Sequence, residues 1–447
     1  MTIKKIVEQG LCVGCGACIS ESCSDDSRMQ WNSDGFLEAN LIYSTNSESL
    51  EFDRVCPFSL NNDETLNEDH LAKEFLTTSV LADNEIGLYN NLYAGYSTKY
   101  RETSSSGGLA TYIFERLLRD KYVDHLFVVS EIDGKYGYKI FSSIDDIQQI
   151  SKTRYFPVTL SSLFDIIDDI DGKIAISGVA CFVKSIRLKQ HFYPTLKEKI
   201  PFLVGIICGG LKSKHYTDFL AQSSGCVTEY MVPEYRVKNN SSIALDYQFS
   251  CIETESKRYH SVDMKSLGDM WGTGLFKSKA CDFCDDVATE LADISLGDAW
   301  IKPYKEDGAG NNIIISRSKL ADELLQNGIA LKELKLDRID LSEIKLSQQG
   351  SFNHRHKGLY YRVNKARKAG IQIPQKRSRF LIKQNITNDL VQLVRSLTRQ
   401  QSLVLWKKHT GLSFFNNKMK PYLFVLHKIT KLNHILTRLY KIVGVKL

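Results

Sequence analysis

From about residue 93 to residue 331, short apolar runs alternate with amphipathic stretches. Runs at 123–130, 174–176 and 202–208 read as strands, with later ones at 293–296 and 312–316. Helical spacing of apolar positions predicts helices over 107–118, 160–170 and 183–190. Strands and helices in alternation imply an α/β core with a mixed sheet. Residues 1 to about 70 are polar and short in periodic structure, and a helical stretch near 71–81 follows them. From about residue 375 the pattern changes again. Leu390, Leu393, Val394 and Leu397 recur at helical intervals among basic residues, as do Leu426, Leu432 and Leu436. The division that results is a small module over 1–75, an α/β domain over 85–374 and a basic helical tail over 375–447.

The 447 residues are 43% hydrophobic and 25% charged, which suits a globular chain. No uninterrupted apolar run reaches the roughly 18–20 residues of a membrane-spanning helix. Cysteines begin at position 12 with no long apolar stretch before them, which argues against a secretory signal and for a cytoplasmic location. The net charge of +6 conceals an asymmetry. Residues 351–447 carry 21 Lys and Arg against one acid, Asp389, a balance of +20; the first 350 residues therefore carry 6 − 20 = −14. Such a tail meets something anionic. It reads either as two helices packed on the core or as a peripheral contact with the inner face of a membrane. Nucleic acid is disfavoured, because no recognised motif or aromatic platform is present.

The 11 cysteines are an odd number in a long chain, so a disulfide scaffold is not expected. Cys12-Val13-Gly14-Cys15-Gly16-Ala17-Cys18 has the spacing that wraps one cubic iron–sulfur cluster, with glycines allowing tight turns. Zinc sites use pairs of cysteines at this spacing rather than triplets. The fourth ligand to such a triplet is commonly a distant Cys-Pro, which Cys56-Pro57 supplies; Cys23 competes for that position. Cys281-Asp282-Phe283-Cys284 is a half-site that needs two more ligands. Cys181 and Cys208 each follow a predicted buried strand, where an α/β sheet delivers its ligands. Each is equally well read as a buried apolar cysteine. Cys226 and Cys251 have no such setting and read as structural. Ser104-Ser105-Ser106-Gly107-Gly108 opens a helix, as a phosphate cradle or as an ordinary cap.

In their shared order these motifs resemble the coenzyme F-420 hydrogenase/dehydrogenase beta-subunit family, whose plant relative is 7-hydroxymethyl chlorophyll a reductase. The likeness runs over roughly residues 10–350. It rests on the two cysteine motifs, Cys56-Pro57, Arg101 with the serine–glycine turn, Lys152-Thr153-Arg154-Tyr155, Gly178-Val179-Ala180-Cys181, Ile207-Cys208-Gly209 and the stretch from Glu290 to Asp298. The resemblance implies an FAD-binding mixed-sheet core, a ferredoxin-like 4Fe-4S module before it, and two 4Fe-4S clusters in all. The family's core cysteines fall on Cys181, Cys208, Cys281 and Cys284. The N-terminal cluster falls on Cys12, Cys15, Cys18 and Cys56. The flavin-binding segments fall on Ser104, Ser105, Ser106, Gly107 and Gly108 and on Lys152, Thr153, Arg154 and Tyr155. Gly-Val-Ala-Cys and Cys-Gly-Gly stand here where many members have Gly-Thr-Pro-Cys and Cys-His-Gly.

The function implied is that of an iron–sulfur flavoprotein oxidoreductase. Electrons would pass between an external donor, such as ferredoxin or a reductase, the N-terminal cluster, the core cluster, FAD and a small-molecule substrate. Bacterial members are often associated with cell-surface polysaccharide synthesis. The competing readings are a non-catalytic electron-transfer subunit of a larger redox complex, a coenzyme F-420 oxidoreductase, and a zinc-stabilised binding protein. His215, Arg236 and His260 follow core strands, but no catalytic residue is assigned.

Overall fold

In Phe202–Ile206 successive side chains enter two different cores, Leu203 one and Phe202 and Val204 the other. Ile174 and Ile176 likewise part from Ala175. A strand buried on both faces belongs at the centre of a sheet. The computed structural model describes residues 3–22, 24–42, 52–60, 66–132 and 134–443; Cys23 lies outside them. Two small hairpins come first: β1 Arg28–Trp31 with β2 Leu37–Asn40, and β3 Leu81–Asp83 with β4 Gly87–Tyr89. The main sheet holds β5 Asn91–Ser97, β6 His125–Ile132, β7 Lys135–Phe141, β8 Ile174–Val179 and β9 Phe202–Ile206. A separate antiparallel sheet follows, of β10 Tyr230–Lys238, β11 Tyr247–Glu253 and β12 Tyr259–Asp263. β13 Ile294–Asp298, β14 Asn312–Ser316 and β15 Leu334–Arg338 complete the main sheet in the order β15-β5-β14-β13-β9-β8-β6-β7. β13, β9, β8 and β6 are parallel neighbours. The α/β mixed-sheet expectation therefore stands.

The N-terminal cysteine segment is sewn into this core. Ile3, Leu11, Ala17, Phe52 and Leu71 share one apolar cluster with Ile174, Ile176 and Leu203. The Leu160 amide donates to the Cys15 carbonyl at 2.8 Å. Gly16 has φ +81°, and a Cβ there would stand 2.2 Å from Thr159 Oγ1, so only glycine fits.

The tail forms helices Ile386–Lys408 and Leu412–Val443. Their inner faces pack: Trp406, Phe415 and Met419 join Tyr216, Phe219 and Phe276 in one buried cluster. Phe276 stacks on Phe415 at 5.2 Å and meets Trp406 edge-on at 5.6 Å. Their outer faces leave Leu390, Leu397, Phe424, Leu432 and Leu439 exposed. Among the described residues, no helix is long and apolar enough to cross a membrane.

Part of the tail's positive charge is spent inside the molecule. Arg377 donates to both carboxylate oxygens of Glu290, at 2.6 and 2.9 Å, and to Asp285. Arg399 donates to Asp282 at 2.9 Å. At both positions the anion that the tail meets is an acid of the same chain. Removing one partner of a buried pair strands the other charge. Arg377→Ala is expected to lower unfolding free energy by about 3–5 kcal/mol. Trp406→Ala is expected to lower it by about 3–5 kcal/mol through the cavity it leaves. Denaturant midpoints at constant slope measure both, and an unchanged Trp406→Ala midpoint would mean that the tail does not pack as described.

Candidate functional site

The four parallel strands point their carboxyl ends at one side of the sheet, where open α/β sheets collect ligands. A cavity of about 610 Å³ opens there, lined among others by Ser177, Gly178, Ile207, Cys208, Gly297 and Asp298. The serine–glycine turn contributes Ser104, Ser105, Ser106 and Gly108 to its wall. Gly108 has φ +80°, and a Cβ there would come 2.6 Å from the Tyr100 carbonyl carbon. This left-handed residue caps helix Leu109–Arg119, which starts two residues later than the pattern predicts. Lys238 ties the turn down from β10, its Nζ donating to the carbonyls of Arg101, Ser106 and Ala309.

The two predicted flavin segments meet. The Thr153 amide donates to Ser105 Oγ at 3.0 Å. Ser104, Ser105, Ser106 and Gly108 line the cavity with Lys152, Thr153, Arg154 and Tyr155. Gly107 is excluded from that wall: it packs against Gly95 and Asn312. Lys152 pairs with Glu234 at 3.3 Å. Arg154 lies over the Tyr136 ring at 5.0 Å, and burial lowers its pKa. Tyr155 packs edge-on against Trp271 at 4.8 Å. Ser104 Oγ, Arg154 Nε and Arg236 Nε are buried without a hydrogen-bond partner, and all three residues border the cavity. Buried polar atoms are seldom left so.

The cysteines gather in two sets. Cys18 is influenced by Cys15, Cys12 and Cys56, and burial raises its pKa well above that of a free thiol. Burial likewise pushes Cys12 up to about 11. Cys181 is influenced by Cys208, Cys284 and Cys281, and beyond them by Cys15, so the sets adjoin. Burial pushes Cys284 up to about 12. Backbone amides approach the second set: Gly210 donates to Cys208 Sγ at 3.3 Å and Leu211 to Cys281 Sγ at 3.2 Å. Among the described residues one trio of ligand-type side chains has its donor atoms within 4.8 Å of one another, and it includes no member of either set.

Cationic groups that the sequence reading missed surround the second set. Burial opposes the charge on Arg355, but the sulfurs of Cys284, Cys208 and Cys281 outweigh it and raise its pKa. Burial lowers Lys277 to about 8, and burial followed by Lys277 lowers Lys212 to about 7. Lys277 Nζ lies 2.6 Å from His354 Nε2. Arg355 and His354 sit in the run Asn353-His354-Arg355-His356-Lys357, whose basic density is the one signal that marked it. Of the three residues noted after core strands, Arg236 reaches the cavity and pairs with Asp298. His215 instead faces Asp218, and His260 lies in the small sheet.

Two family models match this architecture. The N-terminal domain of the coenzyme F420 hydrogenase/dehydrogenase beta subunit matches residues 92–165, and the C-terminal domain matches residues 171–342. No curated protein matches the chain. Among solved structures, a chain of the xenon-derivatised F420-reducing [NiFe] hydrogenase complex from Methanosarcina barkeri aligns with TM-score 0.51 and 20% identity. The alignment covers 66% of this chain and 99% of that one, and it establishes a shared fold. With both family models in sequence order over more than half its length, the chain belongs to the coenzyme F420 hydrogenase/dehydrogenase beta-subunit family.

Proposed function

We propose that the chain is an iron–sulfur flavoprotein subunit that passes electrons between a partner protein and a small molecule in the cavity. The observation that carries this reading is the adjacency of three features: two four-cysteine sets side by side, and a cavity of cofactor size that Cys12 of one and Cys208 of the other both line. Cys12, Cys15, Cys18 and Cys56 would hold one 4Fe-4S cluster, and Cys181, Cys208, Cys281 and Cys284 the other. The donor sets suit such clusters, being all-sulfur, with each thiol buried or half-buried. Arg355 and Lys277 suit the second, since a thiolate-ligated cluster is anionic. When bound, clusters exchange single electrons and a flavin exchanges one or two.

The cavity suits FAD on its polar side. The start of helix Leu109–Arg119 and the Ser104–Ser106 hydroxyls can receive phosphate oxygens, and Arg154 adds positive charge. Ser104 Oγ and Arg154 Nε would gain the partners they lack. Tyr155 and Trp271 give an apolar wall for a planar ring and exclude water. Lys212 Nζ holds a proton at the cavity lining, tethered to the carbonyls of Met270 and Leu275. An amine that titrates near 7 can give a proton to a reduced substrate and regain it from solvent.

The reading without catalysis has its own support. The aligned solved chain comes from a multi-subunit complex, which favours a relay that works only with partner proteins. A role in polysaccharide synthesis finds no support in the site and forms no part of the proposal.

Cys15→Ser and Cys281→Ser should each remove about half of the iron and spare the other cluster's spectroscopic signal. Equal iron in either variant and the parent would refute that variant's cluster assignment. Burial depresses the Lys212 pKa from the 10.5 of a free lysine to about 7 in the folded chain. Between those values the unfolded chain binds a proton that the folded chain does not, so stability rises with pH across this window and is lost as pH falls through about 7. Lys212→Met should flatten that rise in denaturant midpoint between pH 7 and 10. An identical pH profile would show that Lys212 titrates normally.

A further inference from the structure

Away from the cavity, three donor side chains converge at the edge of the small antiparallel sheet. Cys226 Sγ, a Glu253 carboxylate oxygen and a His260 ring nitrogen lie within 4.8 Å of one another. The topology brings them together. β11 ends in Glu253, and His260 on β12 stands directly opposite Cys251. Cys251 and Glu253 are two residues apart, so they and His260 share one face of the sheet. Helix Lys214–Ser223 packs on this sheet and delivers Cys226 just beyond its end. Gly225 turns the chain there with φ +93°, and a Cβ at this position would lie 3.6 Å from His260 Nδ1.

The site is built rather than accidental. Cys226 is 1% exposed and the His260 side chain 9%. His260 Nε2 is buried with no hydrogen-bond partner, and the nearest carboxylate oxygen, Glu253 Oε2, is 4.0 Å away. A buried ring nitrogen without a partner is costly unless something else takes its lone pair. Glu253 is itself held in place, with Thr228 Oγ1 donating to Oε1 at 2.6 Å and Ser256 Oγ donating to Oε2. Such supporting contacts are typical of a carboxylate that binds a metal.

We infer that Cys226, Glu253 and His260 bind one zinc ion, with solvent at the fourth position. Thiolate, imidazole and carboxylate together suit zinc better than calcium or magnesium, which prefer oxygen alone. One thiolate and one carboxylate neutralise the dication, so the pocket passes from the single negative charge of Glu253 to neutral. On binding, the Cys226 thiol proton leaves to solvent, a sulfur–zinc bond forms, and no electron is transferred. Bonds of about 2.0–2.3 Å would draw the donors to about 3.3–3.8 Å apart, a closure of about 1 Å from their present limit. The ion would pin the β11–β12 hairpin to the end of the helix that carries Tyr216 and Phe219, the same cluster on which the tail helices pack. The inference is independent of the cluster and flavin assignments.

The test uses the full chain purified without oxygen and with its iron in place, stripped of loose metal by a chelator and given zinc chloride. The expected result is one retained zinc per chain, with a mixed shell of one sulfur and several nitrogen or oxygen neighbours at the zinc X-ray absorption edge. Cys226→Ser and His260→Gln should each weaken zinc retention by at least roughly tenfold at unchanged iron content. Glu253→Gln, at a half-buried position that does not threaten folding, should weaken it similarly. No zinc retained by the parent chain would overturn the inference. So would equal retention by Glu253→Gln and the parent, or an all-sulfur shell, which would place the metal in the cysteine sets.

Discussion

The structure depends on neutralising one acidic, cysteine-bearing strand of chain inside the core. From Cys281 to Glu290 nearly every residue is buried, including Asp282, Asp285, Asp286 and Glu290. Left alone, that much buried negative charge would not fold. The C-terminal third returns to meet it: Arg355 faces the sulfurs, Arg362 donates to the Asp282 carbonyl, Arg377 clasps Glu290 and Asp285, and Arg399 holds Asp282. The imbalance between an acidic body and a basic tail is therefore in part an internal pairing written far apart in sequence. The apolar seam of Trp406, Phe415 and Phe276 holds the tail where these charges are needed.

The same arrangement orders the site. Parallel strands bring Cys181 and Cys208 to the sheet's carboxyl edge, and the acidic segment brings Cys281 and Cys284 to them. The N-terminal cysteine segment is stitched beneath, through the Cys15 carbonyl and the tight turn at Gly16. Cys12 and Cys208 both border the cavity, whose serine turn is clamped by Lys238 and joined to the Thr153 segment through Ser105.

Much of this was legible in the sequence. Strand β14 falls on the residues its apolar run predicts, and β8 and β9 fall within a few residues of theirs, because wholly buried runs between turns have few other solutions. The eight cysteines sort into their two sets from spacing and family likeness together. Less legible were features that depend on distant partners. The helix expected over 160–170 shrinks to Ser161–Ile166, its remainder spent in turns beside Asp171 and Gly172. The exposed edges of β10–β12 alternate weakly and gave no clear strand signal. Arg355, Lys212 and Lys277 look like ordinary surface cations in sequence, since nothing local reveals that tertiary packing buries them. Cys226, Cys251 and His260 looked unrelated for the same reason: strand pairing sets Cys251 opposite His260, and the helix Lys214–Ser223 brings Cys226 to them.

The central claim is that the two cysteine sets and the cavity hold redox groups. The most direct measurement is the iron, acid-labile sulfide and flavin content of the full chain purified without oxygen. The account predicts about eight irons with matching sulfide and about one flavin per chain. Zinc in place of iron at the cysteine sets, with no flavin, would contradict it.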